Sequence, residues 1–157
     1  GEKTLTGGRL KRLAPYLKNE DTFCFTYGDG ISNINIIDLI NYHKKEKSKA
    51  TLTAVQPPGR FGSLSFARGK VLSFEEKPSG DGKWINGGFF VLEKEVLNLI
   101  KDDSCIWEKE PLEFLAKSGQ LSAFEHSGFW QPMDTLRDKI FLNELWNSQS
   151  APWKVWN

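Results

Sequence analysis

Apolar positions along the chain fall into short runs broken by glycine, proline and charge. Leu10, Leu13 and Leu17 recur at helical spacing, which predicts a helix over Thr6–Leu17 that Pro15 kinks or shortens. Thr22–Tyr27 is a run of strand formers closed by Gly28-Asp29-Gly30. Ile36, Ile37, Leu39 and Ile40 give the next helix its apolar side, with a cap near Ser32 or Asn33 and a solvated end over His43–Lys49. Ala50–Val55 predicts a strand stopped by Pro57-Pro58-Gly59, and Gly62–Ala67 with Val71–Glu75 a hairpin around Arg68-Gly69. Ile85–Leu92, interrupted at Gly87-Gly88, predicts a strand and then a helix through Ile100. Trp107–Ala116 is helical with Gly119 as its stop, Leu121–His126 a strand and Thr135–Trp146 a long helix. Strands alternating with helices predict an α/β layered sheet, in which ligands bind where strands hand over to loops at their carboxyl ends. That rule directs attention to Asp29, Gly62, Lys77, Asn86 and Asp134.

The chain has 157 residues, 39% of them hydrophobic and 26% charged, which suits one compact domain with a buried core. Lysines and arginines number 21 against 20 acidic residues, a net charge of +1 that argues against a general nucleic-acid or polybasic membrane binder. No apolar run approaches the roughly 18 residues needed to span a bilayer, and no signal peptide opens the chain. Cys24 and Cys105 lack metal-ligand spacing, so reduced thiols in the cytoplasm are expected. Six Trp and eleven Phe are unusual; Trp130, Trp146, Trp153 and Trp156 crowd the end of the chain and predict a packed core or a subunit interface.

Six segments carry candidate chemistry. Asp29, flanked by glycines directly after a strand, is placed to hold a cation, and equally to serve as an ordinary turn residue. Asp134, just before the long helix, is a candidate N-cap, and a carboxylate has lone pairs enough to cap and bind metal together. Two carboxylates from distant loops can share a Mg²⁺ that keeps positions for water and phosphate oxygens. Lys77, after Glu75-Glu76 and before Pro78, offers an ammonium to a phosphate or a strand-end ion pair. Asn86 before Gly87-Gly88 can donate to and accept from sugar hydroxyls, or mark a strand bulge. Gly7, Gly8 and Arg9 at a helix start, and Arg60 in the stiff Pro57–Gly62 loop, are candidate anion contacts. With only His43 and His126, histidine-based nucleophilic catalysis and zinc are disfavoured.

In order, Thr-Gly-Gly-Arg-Leu, Tyr-Gly-Asp-Gly, Pro-Pro-Gly-Arg-Phe-Gly, Glu-Glu-Lys-Pro, Ile-Asn-Gly-Gly-Phe-Phe and Phe-Trp-Gln-Pro-Met-Asp-Thr resemble the sugar-1-phosphate nucleotidyltransferase family, specifically its cytidylyl branch. The resemblance runs over nearly the whole chain. It implies a Rossmann-like mixed sheet flanked by helices, of the nucleotide-diphospho-sugar transferase type. It implies too that residues 1–157 are the carboxyl-terminal portion of one such domain, on its sugar-phosphate and metal side, because the family's Gly-Gly-x-Gly-Thr-Arg-Leu phosphate loop is not found. The implied reaction makes CDP-glucose and pyrophosphate from CTP and glucose 1-phosphate. Asp29 and Asp134 match the family's Mg²⁺-binding aspartates, and Lys77 the lysine that grips the sugar phosphate. Glu76, Asn86, Gly87 and Gly62 match sugar contacts, with Gly8 and Arg9 near the nucleotide. The resemblance further implies a cytoplasmic homo-oligomer feeding surface-polysaccharide synthesis, with inactivity expected of these residues alone. The competing expectations are a uridylyl or thymidylyl transferase and a non-catalytic oligomerising or sugar-phosphate-binding fragment.

Overall fold

The computed structural model describes residues 1–57, 59, 63–76 and 83–156. In chain order its elements are α1 (Thr6–Lys11), a 3₁₀ turn (Ala14–Leu17), β1 (Thr22–Thr26), β2 (Gly30–Ser32), α2 (Ile36–Glu46), β3 (Ala50–Val55), β4 (Ser63–Ala67), β5 (Lys70–Glu75), β6 (Ile85–Glu93), a second 3₁₀ helix (Lys94–Leu99), α3 (Glu110–Lys117), β7 (Leu121–His126), β8 (Trp130–Pro132) and α4 (Leu136–Asn147). They form two compact units, one of residues 1–26, 35–53 and 88–124, the other of 27–34, 54–87 and 125–157.

The first unit carries most of a four-stranded sheet of order β1-β6-β3-β7. β1 is its edge and runs antiparallel to β6, with Phe25 opposite Phe90. Its core includes Leu10, Leu39, Phe90, Leu92, Val96, Ile100, Leu115 and Trp107, which is 0% exposed and meets Phe90 edge-on with ring centroids 6.1 Å apart. The helix expected over Thr6–Leu17 breaks in two: Pro15 lacks an amide hydrogen and opens a 3₁₀ turn instead of continuing the helix. At α2 the cap is Asn35, two residues past the expected Asn33; its Oδ1 accepts from the amides of Ile37 and Asp38.

His43, expected at a solvated helix end, is 1% exposed. Glu93 Oε1 can only accept when ionised, so His43 Nε2 carries the proton it shares at 2.9 Å. Nδ1 then accepts from the Thr51 hydroxyl at 2.8 Å in the neutral ring, and the Thr22 hydroxyl donates to the same Glu93 oxygen at 2.9 Å. These side chains tie α2 to β1, β3 and β6.

The second unit holds two antiparallel ribbons and α4. β2 pairs with β8 through Gly30–Pro132, Ile31–Gln131 and Ser32–Trp130. β4 pairs with β5 across the expected hairpin, whose turn has positive φ at both Arg68 (49°) and Gly69 (76°), the type I′ geometry that matches strand twist. Leu64, Phe66, Val71, Leu72 and Phe74 of this ribbon are all exposed. Phe129 stacks at a tilt on Trp153, with centroids 5.4 Å apart, so one tail tryptophan packs, while Trp146 and Trp156 are exposed. The β2–β8 ribbon was not expected, because three-residue strands are shorter than any window in which alternation is visible.

Candidate functional site

The second unit brings the expected acidic pair together at one end of the β2–β8 ribbon. Asp29 directly precedes β2, and its carbonyl accepts from the amide of Met133 at 2.8 Å. Asp134 is the next residue, so ribbon pairing sets the two aspartates on adjoining backbone, and both are exposed. The N-cap of α4 is Thr135, not Asp134. Thr135 Oγ1 accepts from the Asp138 amide, and Asp138 Oδ2 accepts from the Thr135 amide at 3.0 Å, a complete capping box. Gln131 donates to Asp138 Oδ1 at 3.1 Å from inside the unit, and both residues are buried. The capping task is therefore discharged without the Asp134 carboxylate. A Cβ added to Gly28 would meet nothing within 4 Å, and its φ lies outside the left-handed region. The fold does not require glycine there.

The Asn86-Gly87 segment is anchored to the same ribbon and to the strand exit. Trp130 Nε1 donates to the Gly87 carbonyl at 2.8 Å. Asn86 Nδ2 donates to the Tyr27 hydroxyl at 3.2 Å, two residues before Asp29. Glu76 lies exposed just past β5. Lys77, Arg60 and Gly62 lie outside the described residues.

Asp29 and Asp134 offer hard carboxylate oxygens. No group of three or more His, Cys, Asp or Glu able to hold a metal occurs among the described residues. That donor set fits Mg²⁺, which dehydrates reluctantly and is held by one or two carboxylates with phosphates and waters completing its octahedron. It does not fit a structural zinc cage.

Ser32 and His126 meet at 3.1 Å, a pairing that sequence did not suggest. The Ser32 hydroxyl donates to the Phe129 carbonyl at 2.8 Å and accepts from the Ile34 amide at 3.2 Å. His126 must then donate to Ser32 and has no lone pair at Nε2 to take the hydroxyl proton. The pair is a loop brace, not an activated nucleophile.

Gly8 and Arg9 belong to the first unit, where the structure gives them packing tasks. The amides of Gly7 and Gly8 donate to the Cys105 carbonyl at 3.0 and 3.3 Å. A Cβ on Gly8 would stand 2.5 Å from the Asp103 Cα. Arg9 donates to the carbonyls of Thr4 and Gly1. Arg12 bridges Asp103, and this hydrogen bond holds the Asp103 carboxyl below its ordinary range and the guanidinium above its own. Hydrogen bonds from the Ser104 hydroxyl and amide lower Asp102 likewise. Desolvation raises the Cys24 thiol, so it is not a ready thiolate. The signal for Tyr27 and Trp130 as partners of Asn86 and Gly87 was their aromatic N–H and O–H beside the motifs, which no spacing rule assigns.

Residues 6–131 match the nucleotidyl transferase family. The chain is 58% identical over 156 residues to the glucose-1-phosphate cytidylyltransferase of Salmonella typhimurium, covering 99% of this chain and 61% of that protein. It is 43% identical over 157 residues to the "probable glucose-1-phosphate cytidylyltransferase" of Bacillus subtilis, again covering 99% and 61%. The chain thus spans less than two thirds of the length of these curated relatives. Among solved structures, HddC from Yersinia pseudotuberculosis superposes with a TM-score of 0.66 at 24% identity, over 91% of this chain and 63% of that one. That likeness fixes the fold as a mixed α/β sheet of the nucleotide-diphospho-sugar transferase type.

Proposed function

The chain belongs to the nucleotidyl transferase family, and from that premise we propose that it forms the metal and sugar-phosphate side of an enzyme making CDP-glucose and pyrophosphate from CTP and glucose 1-phosphate. The likeness to two cytidylyltransferase relatives favours this over the uridylyl, thymidylyl and non-catalytic alternatives. The observation that carries it is the Met133–Asp29 backbone bond, which puts Asp134 beside Asp29 while Thr135 does the capping.

In this reading a glucose 1-phosphate oxygen attacks the α-phosphorus of CTP in line. A new O–P bond forms as the bond from the α-phosphorus to the bridging oxygen breaks, and that oxygen leaves with pyrophosphate. Such a step asks the protein for alignment and charge neutralisation more than for covalent chemistry. Bound Mg²⁺ would neutralise phosphate charge as a Lewis acid. Asp29 and Asp134 would hold it, and their exposure leaves room for phosphate oxygens. Asn86 and Gly87 would orient the hexose, Gly62 and Glu76 would line it, and Lys77 and Arg60 would meet its phosphate. Gly8 and Arg9 would lie near the nucleotide. We place the protein in the cytoplasm as a homo-oligomer, upstream of the reactions that consume a CDP-activated hexose for surface polysaccharide. No helix among the described residues is long and apolar enough to cross a membrane.

The test is pyrophosphate release by the full-length protein that carries these residues, with CTP, UTP and dTTP compared at fixed glucose 1-phosphate and Mg²⁺. Preference for CTP supports the proposal. Preference for UTP or dTTP overturns the nucleotide assignment, and absence of release with all three overturns the enzymatic one.

A further inference from the structure

We propose that Trp130 is a positioning residue that locks the sugar-binding start of β6 to the metal-binding ribbon through its indole N–H. The inference rests on the function proposed above. The β2–β8 ribbon has two ends. At one, Gly30 pairs with Pro132 and the chain leaves toward Asp29 and Asp134. At the other, Ser32 pairs with Trp130, whose Nε1 donates to the Gly87 carbonyl at 2.8 Å. An indole has a single donor and no acceptor, so this bond fixes the direction of the ring. Trp130 is only partly buried, and β8 is three residues long. Packing around so short an element constrains it weakly, and a directed hydrogen bond adds what packing does not.

The neighbouring peptide is held from a second side. Asn86 donates to Tyr27, and Tyr27 is joined through Gly28 to Asp29. The Asn86-Gly87 start of β6 is thus strung between Tyr27 and Trp130, one preceding the first strand of the ribbon and the other opening the second. A hexose held by Asn86 and Gly87 inherits its position relative to Asp29 and Asp134 from these two bonds. Loosening this strand start by a fraction of an ångström would move the sugar phosphate from the cation while leaving the ribbon paired. The loss falls on sugar-phosphate recognition and not on the nucleotide.

The test replaces the Trp130 indole by the analogue with sulfur in place of the N–H, which keeps ring shape, together with Trp130→Phe and Tyr27→Phe, in the full-length protein. Steady-state kinetics follow KM for glucose 1-phosphate and for CTP separately, and thermal melting follows the fold. A neutral hydrogen bond of ordinary strength predicts a rise of about threefold to tenfold in KM for glucose 1-phosphate in the sulfur analogue. KM for CTP should stay within about twofold, because the bond does not touch the nucleotide. Tyr27→Phe should act in the same direction. An unchanged KM for glucose 1-phosphate in the sulfur analogue, or equal rises in both KM values, overturns the positioning role while wild-type turnover leaves the proposed function intact. A wild-type protein without turnover removes the function and the positioning role together.

Discussion

Single residues in the first unit bear tasks that their type alone does not announce. His43 sits in a run of lysines, yet it is buried and bonded to Thr51 and Glu93. His43→Ala would leave the fully buried Thr51 hydroxyl without that partner and open a void, at a cost of about 2–4 kcal/mol. Urea unfolding at neutral pH measures it. Gly8→Ala would press a Cβ against the Asp103 backbone, which cannot yield as a flexible side-chain tip can; a loss of about 1–3 kcal/mol is expected in the same assay. Asp103 has a second, pH-dependent part. Its folded pKa is lowered by Arg12, so the stabilisation is complete above the unfolded carboxylate pKa and is lost as pH falls through the depressed folded value. Both groups are well exposed, so the contribution is small. Asp103→Asn should flatten the acid limb of a stability profile without changing stability's slope above neutral pH.

At the scale of elements, local rules held where an element is long or ends in a strong punctuator. Ala50–Val55 and Leu121–His126 form over the expected residues, and Gly119 ends α3 with φ of 69°. Pro15 divided the first helix as its missing N–H requires. The cap of α2 moved to Asn35 because Ser32 joins β2 and bonds to Phe129 and His126. That pairing is long-range and invisible to spacing. The same ribbon governs the candidate site. Asp29 and Asp134 stood out by type and flanking glycine or helix start, but their backbone meeting depends on two three-residue strands separated by nearly a hundred residues. The ties from Trp130 and Tyr27 were not legible for the same reason. The β4–β5 turn provides a test at this scale. Arg68 holds φ of 49° in a type I′ turn, where asparagine is tolerated better than a long side chain. Arg68→Asn should therefore stabilise the protein by about 0.5–1 kcal/mol, read as a rise in melting temperature.

For the whole molecule, the β4–β5 ribbon exposes Leu64, Phe66, Val71, Leu72 and Phe74, and Trp146 and Trp156 are exposed as well, side chains of the kind that association covers. They are the physical ground for the proposed homo-oligomer, and sedimentation of the full-length protein should give a mass above one chain. A single sedimenting protomer at micromolar concentration would contradict it. The most direct measurement concerns the acidic pair. If Asp29 and Asp134 hold one divalent ion, removing either carboxylate removes the ion's alignment, and removing the second has little left to remove. Pyrophosphate release should be measured for the full-length protein, Asp29→Asn, Asp134→Asn and the double variant across Mg²⁺ concentration. Each single variant is expected to fall by at least about a hundredfold, with the double no more than about threefold below the weaker single. Losses that multiply in the double variant, or a single variant with wild-type turnover, would contradict the shared ion.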